Sequence, residues 1–259
     1  MLQIYPIPAF EDNYFWLIRP DSQSAAAYIV DPGAAAPVQQ ALNNYGLELH
    51  GILITHHHHD HIDGATELAE LFNVPIYGPS SARIPQITHI VAEGDELKLH
   101  SLTAKILATP GHTLDHIAYY FEPADSPPLL FSGDTIFAAG CGRLFDGTAP
   151  LLFNSLQRIA ALPDTTLIYA AHEYTLANIR FALSVEPGNT ELIERQTREE
   201  QTRQQELPTL PTSLQVEKRT NPFLRCHLNQ LHAQVEEAEQ KVLTDGEVFA
   251  SLRRAKDQF

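Results

Sequence analysis

Cysteine is scarce in this 259-residue chain. Cys141 and Cys226 are the only two. That number rules out a disulfide framework and fits a reducing compartment. Long apolar runs are missing too, with no stretch near the roughly 20 residues that a membrane span needs. The opening residues, Met1-Leu2-Gln3-Ile4-Tyr5, lack a basic segment followed by an apolar one, so no signal peptide is expected. Positive charge is short: 17 Lys and Arg stand against 32 Asp and Glu, for a net charge of −15. Such a balance disfavours nucleic acid as a partner. The apolar fraction of 44% is ordinary and allows a sizeable core. These observations together point to a cytoplasmic protein, and a monomer is expected.

What the chain does have is histidine in one place. The run Thr55-His56-His57-His58-His59-Asp60-His61 follows an apolar, strand-like stretch, Gly51-Ile52-Leu53-Ile54. It contains the pattern His-x-His-x-Asp-His, built from His56, His58, Asp60 and His61. A purification tag sits at a terminus and is unbroken; this run is internal and interrupted by Asp60. Imidazole and carboxylate suit zinc and related first-row ions. Packed together without a cation, they would bring a buried carboxylate into contact with little return.

Three further candidates share the same setting. Lys105–Ala108 runs into Thr109-Pro110-Gly111-His112, Leu129–Phe131 into Ser132-Gly133-Asp134, and Thr166–Ala170 into Ala171-His172. In layered α/β proteins, functional groups gather at one end of the strands. Seven ligands exceed the needs of one tetrahedral zinc. Two ions are therefore expected. His56, His58 and His112 hold the first, and Asp60, His61 and His172 the second, with Asp134 bridging. Zinc is the expected metal, although iron and manganese accept the same ligands. A water or hydroxide shared between the ions would be a nucleophile near neutral pH. Asp134 and Asp60 are the carboxylates assigned to that chemistry.

In this order, the set resembles the metallo-β-lactamase superfamily, which implies an αββα sandwich. Within it, the chain is similar to the glyoxalase II (hydroxyacylglutathione hydrolase) family. The motifs that carry the similarity are residues 55–61, Cys141-Gly-Arg-Leu-Phe-Asp-Gly147, His172-Glu-Tyr-Thr175, Thr220-Asn-Pro-Phe-Leu-Arg225 and the closing Arg253-Arg-Ala-Lys-Asp-Gln-Phe259. The resemblance implies hydrolysis of S-D-lactoylglutathione and related 2-hydroxyacyl thioesters in methylglyoxal detoxification. It also implies that Arg253, Lys256 and Arg143 bind the glycine carboxylate of glutathione. Tyr174 matches a tyrosine that contacts glutathione, and Asn178 shares its helix face at i+4. Phe145 stands where a tyrosine is common, and His59 where a tryptophan is common. A lactonase or a persulfide dioxygenase of the same fold is the alternative.

Organisation changes near residue 172. Before it, strand-like runs (14–19, 26–30, 49–55, 116–121, 129–132) alternate with helical spacing at 64–72 and 150–162. After it, segments 174–185, 190–207, 228–243 and 246–257 read as helices, and 207–212 as a proline-containing loop. A metal-binding domain over 1–171 and a helical substrate-binding domain over 172–259 are expected. Asp31 reads as a turn residue before Pro-Gly. Asp115 reads as a carboxylate that could orient a ligand imidazole. His57 alternates with the ligands and should face away, and His116 has no ligand spacing. Cys141 reads as a packed thiol.

Overall fold

The computed structural model describes residues 1–259, which divide into two compact units. The first unit comprises residues 1–108 and 115–133, the second 109–114 and 134–259. Compactness thus groups residues 134–171 with the C-terminal helices, whereas the linear reading places them before the boundary.

The first unit contains β1 (Gln3–Ala9), β2 (Asn13–Arg19), β3 (Ala26–Val30), α1 (Ala35–Tyr45), β4 (Glu48–Leu53), α2 (His59–Ile62), α3 (Ala65–Phe72), β5 (Ile76–Gly78) and β6 (His89–Ile90). It continues with β7 (Glu96–Leu99), β8 (Leu102–Ala108), β9 (Ile117–Phe121) and β10 (Leu129–Gly133). Strands β1 to β6 form one sheet in chain order, antiparallel through β3 and parallel from β3 onward. Strands β10, β9, β8 and β7 lie side by side, antiparallel, in a second sheet.

The residue patterns explain these elements. β3 is buried along its whole length, as a strand covered on both faces must be. Residues 102–106 of β8 alternate buried and exposed, the period of a strand with one wet face. α1 stops at Gly46, whose φ of 64° places it in the left-handed region. Helices α1 and α3 pack Val38, Leu42 and Leu68 with Leu17, Ile29, Ile52 and Ile54 in one core. The Tyr119 hydroxyl of β9 donates to the carbonyl of Ile54, 2.9 Å away, at the end of β4.

The second unit contains β11 (Ile136–Phe137), β12 (Gly140–Cys141), α4 (Ala149–Ala160), β13 (Leu167–Ala170), α5 (Thr175–Val185), α6 (Thr190–Gln204), β14 (Thr212–Ser213), α7 (Leu214–Thr220), α8 (Asn229–Glu239) and α9 (Asp245–Asp257). β11 and β12 form a hairpin, and β13 pairs antiparallel with β14. Asn189 caps α6 by accepting the amide of Leu192, and Thr244 with Glu247 closes a reciprocal cap on α9. Phe181, Phe223 and Phe249 are buried, Phe223 lying 6.0 Å from Phe181 and 5.6 Å from Phe249 between ring centroids. Between α6 and α7 runs a buried ion pair, Arg195 to Glu217 at 2.7 Å. No helix is long and apolar enough to cross a membrane.

Candidate metal centre

Each unit assembles part of the expected ligand set. In the first, β4 ends and the chain turns through His56 and His58 into α2, which carries Asp60 and His61. The turn is held by backbone approach. A side chain on Gly33 would place its Cβ 2.0 Å from the carbonyl oxygen of Asp60, so only glycine lets residues 31–33 lie there. His56 and His61 are buried, with ring centroids 4.1 Å apart. His56 Nε2 lies 3.1 Å from His58 Nδ1, and His61 Nε2 lies 3.4 Å from Asp60 Oδ2. Asn13 donates to that same Asp60 oxygen at 2.9 Å.

In the second unit, Asp134 faces two imidazoles. Its Oδ2 is 3.4 Å from His112 Nε2, and its Oδ1 is 3.4 Å from His172 Nε2. His112 is aimed by its other nitrogen, which meets the backbone carbonyl of Arg143 at 2.7 Å. The segment bearing it is anchored to α4, where Ser155 donates to Pro110 O at 2.7 Å. His172 stacks on Tyr174, with centroids 4.7 Å apart and planes 3° apart.

These spacings fit a metal. Ligand atoms about 2.0–2.1 Å from a tetrahedral ion lie about 3.3 Å from one another. Asp60–His61, Asp134–His112 and Asp134–His172 are each at 3.4 Å. A direct charge-assisted hydrogen bond would be nearer 2.8 Å. The donor set of imidazoles and carboxylates is one that divalent first-row ions take.

Asp31 plays a larger part than a turn residue. It is buried, at a left-handed φ of 50°. Its Oδ1 accepts the Thr55 amide, and its Oδ2 the Thr55 hydroxyl, both at 2.7 Å. Oδ2 also meets His61 Nδ1 at 3.0 Å. Asp31, His56 and His61 are close enough together to hold an ion themselves. With both oxygens engaged by Thr55, Asp31 is instead the group that orients His61. Asp31 could have been found in the sequence, because it follows β3 directly, just as Asp134 follows β10. Asp115 meets His57, which lies between His56 and His58 in the chain. Both its oxygens lie 2.9 Å from His57 Nδ1, and His57 Nε2 meets Arg83 Nη1 at 2.8 Å. His116, which carries no ligand spacing, is buried and stacks on His56 at 4.7 Å. His59 is exposed and pairs with Asp63.

The residues expected at the substrate divide. Arg143 is 66% exposed, its Nε 3.7 Å from Asp257. Tyr174 is partly exposed, and Phe145 is 63% exposed with its ring edge-on to His112. Lys256 is half-buried between Phe181 and Phe259, and burial, aided by the Arg253 and Arg180 charges, lowers its pKa. Arg253 and Asn178 turn inward, each only 5% exposed. Arg253 donates to Cys141 O at 2.9 Å and Asn178 to Ala138 O at 3.1 Å. Burial pushes the Cys141 thiol up to about 11, with the Arg253 charge pulling it partly back, so the sulfur is not a thiolate at neutral pH.

Residues 10–172 match the metallo-β-lactamase superfamily, and residues 173–259 match the family described as hydroxyacylglutathione hydrolase C-terminus. The chain therefore belongs to the metallo-β-lactamase superfamily and is a metal-dependent hydrolase. It is 46% identical to the hydroxyacylglutathione hydrolase of Marinomonas sp. (strain MWYL1), over all of both chains. It is 49% identical to that of Aliivibrio salmonicida (strain LFI1238), again over all of both chains. Within the superfamily it belongs to the hydroxyacylglutathione hydrolase family, as the motifs from residue 55 to residue 259 imply. Solved structures repeat the fold. ETHE1 from Myxococcus xanthus matches with a TM-score of 0.66 at 24% identity, over 99% of this chain and 98% of that one. TTHA1623 in a di-iron-bound form matches with a TM-score of 0.59 at 24% identity, over 85% of this chain and all of that one.

Proposed function

We propose that this chain hydrolyses S-D-lactoylglutathione and related 2-hydroxyacyl glutathione thioesters to glutathione and a 2-hydroxy acid. The observation that carries the reading is Asp134, a single buried carboxylate whose two oxygens each face a different imidazole nitrogen at 3.4 Å. The ligand set is His56, His58 and His112 for one ion and Asp60, His61 and His172 for the other, with Asp134 shared. Zinc is the first choice, and iron or manganese would suit the same donors. Divalent ions there supply Lewis acidity, which lowers the pKa of water toward neutrality and polarises an acyl carbonyl.

The protein's own groups hold and aim the parts. Asp31 and the Arg143 carbonyl each engage Nδ1 of a ligand histidine, leaving Nε2 to face the site. Arg143 and Lys256 offer cations to the glycine carboxylate of glutathione, and Tyr174 offers its ring to the tripeptide. Hydrolysis forms a carbon–oxygen bond and breaks the carbon–sulfur bond. A thiol has a pKa near 8.5, so glutathione leaves as thiolate without a strong acid beside it. The buried, protonated Cys141 takes no part as a nucleophile. The names of the full-length relatives support the glutathione thioester as substrate. We read the protein as a cytoplasmic monomer with no nucleic-acid or membrane partner.

Thioester cleavage is measured on metal-loaded protein while metals per chain are counted. Two ions, loss of cleavage after dialysis against a chelator and recovery on adding zinc are expected. A maximum of one ion, or no cleavage of S-D-lactoylglutathione by loaded protein, refutes the reading.

A further inference from the structure

Residues 137–142 form a short strap between Asp134 and Arg143. Side chains from the C-terminal region hold its backbone almost group by group. Asn221 donates to Phe137 O at 3.2 Å and to Gly140 O at 2.9 Å. Asn178 donates to Ala138 O at 3.1 Å. Glu217 accepts the amide of Ala139 at 2.8 Å. Arg253 donates to Cys141 O at 2.9 Å and to Gly142 O at 3.4 Å. All four side chains are buried. Glu217 is itself fixed by Arg195 at 2.7 Å and Asn221 at 3.0 Å.

The strap adjoins two residues of the candidate metal centre, Asp134 and His112. Thr135 O accepts the Gly142 amide at 3.2 Å, closing the hairpin beside Asp134. A Cβ on Gly142 would lie 2.1 Å from the backbone oxygen of Asp134 and 3.0 Å from the side-chain Cβ of His112, so the strap packs closely against both residues. The next carbonyl, that of Arg143, aims His112. Apolar packing alone would hold a hairpin down but would leave its peptide planes free to turn. Hydrogen bonds to six successive backbone groups fix those planes. Burying an ion pair and two carboxamides to do this is costly unless every group is satisfied.

We infer that Asn178, Glu217, Asn221 and Arg253 are positioning residues, which hold the 137–142 strap so that Asp134 and His112 keep their ligand spacing. The inference rests on the reading that Asp134 and His112 bind metal. It gives the helical region a second task beside substrate binding. It also explains the Thr220–Arg225 motif, whose Asn221 faces the strap.

The test uses metal-free full-length protein titrated with Co(II), followed by its visible spectrum, together with kcat and KM for S-D-lactoylglutathione. The variants are Asn178→Ala, Arg253→Lys and Asn221→Ala, each checked for folding by circular dichroism. Folded variants should bind the second equivalent of Co(II) about 10- to 100-fold more weakly and with an altered spectrum. Their kcat should fall by up to about 100-fold, as misplacement of a catalytic group predicts. KM should stay within about twofold, since no uniform binding contact is removed. A raised KM with unchanged kcat and Co(II) binding would make these residues substrate contacts and overturn the inference. So would wild-type values throughout. If Asn221→Ala does not fold, Asn178→Ala, which loses one hydrogen bond, and Arg253→Lys, which keeps charge and bulk, decide the matter. Wild-type protein that takes up Co(II) but leaves the thioester intact would remove the substrate reading alone, because the Co(II) comparison still stands.

Discussion

Replacing Asp31 by Asn is the sharpest probe of how the ligands are aimed. The change is nearly isosteric, and Asn keeps one carbonyl oxygen to accept the Thr55 amide, now at 2.7 Å from Oδ1. The second oxygen becomes an amide group, which donates where Oδ2 accepted from the Thr55 hydroxyl and faced His61 Nδ1. The hydroxyl can rotate and accept instead. His61 cannot adapt without cost. A His61 that ligates through Nε2 carries its proton on Nδ1, and two donors then meet 3.0 Å apart. The other tautomer relieves the clash by placing the proton on Nε2, where the metal should bind. The bond at stake is one to a charged group, worth about 1.5–3 kcal/mol. At about 1.4 kcal/mol per tenfold, metal affinity should fall by about 10- to 100-fold. Competition against a chelator of known affinity measures this directly. Asp31→Ala is a poorer probe, because it strands the buried Thr55 amide and costs stability as well. An Asp31→Asn protein that holds both ions as tightly as the wild type and keeps its kcat would refute the orienting role.

Other outcomes follow from the same geometry. Asp134→Ala should abolish thioester cleavage and lower the metal count, whereas Cys141→Ala should keep both; a metallated, folded but inactive Cys141→Ala would require a covalent mechanism. Lys256→Ala should raise KM for the glutathione thioester by about 10- to 100-fold, from one charged hydrogen bond, while sparing kcat and metal content. A short thioester without the glutathione carboxylates should be indifferent to that change, and equal effects on both substrates would remove Lys256 from the binding site. Thermal stability should decline between pH 9 and 11. Burial raises the Cys141 thiol from 9.0 to about 11 and shifts Cys226 the same way. A group raised on folding stabilises fully below its unfolded pKa, and the contribution disappears as pH climbs through the folded one, here about 3 kcal/mol at most for Cys141. Melting curves of Cys141→Ala should be flatter over that window, and an unchanged decline would assign it elsewhere.

The metal ligands and most helices are written locally. His56, His58, Asp60 and His61 fall within six residues behind one apolar strand, and strand endings flag His112, Asp134 and His172 in the same way. The helical stretches 174–185 and 246–257 show their period in the residues themselves, so α5 and α9 lie where the spacing puts them. Reading along the chain passes over β1 and α1, and over the β11–β12 hairpin, whose short apolar runs carry no distinctive period. A family motif places Arg253 near the substrate and helical spacing from Tyr174 places Asn178 there, but neither says which way a side chain turns. Both turn inward to backbone carbonyls, the Arg253 partner lying 112 residues away in the chain. Asp31 meets His61 across 30 residues, and His57 finds Asp115 across 58. Residue type and spacing determine which groups can bind a metal, because ligand chemistry and strand or helix period act over a few residues. Which carboxylate aims which imidazole is decided only when packing brings distant segments together, since a hydrogen bond is made or lost within a few tenths of an ångström.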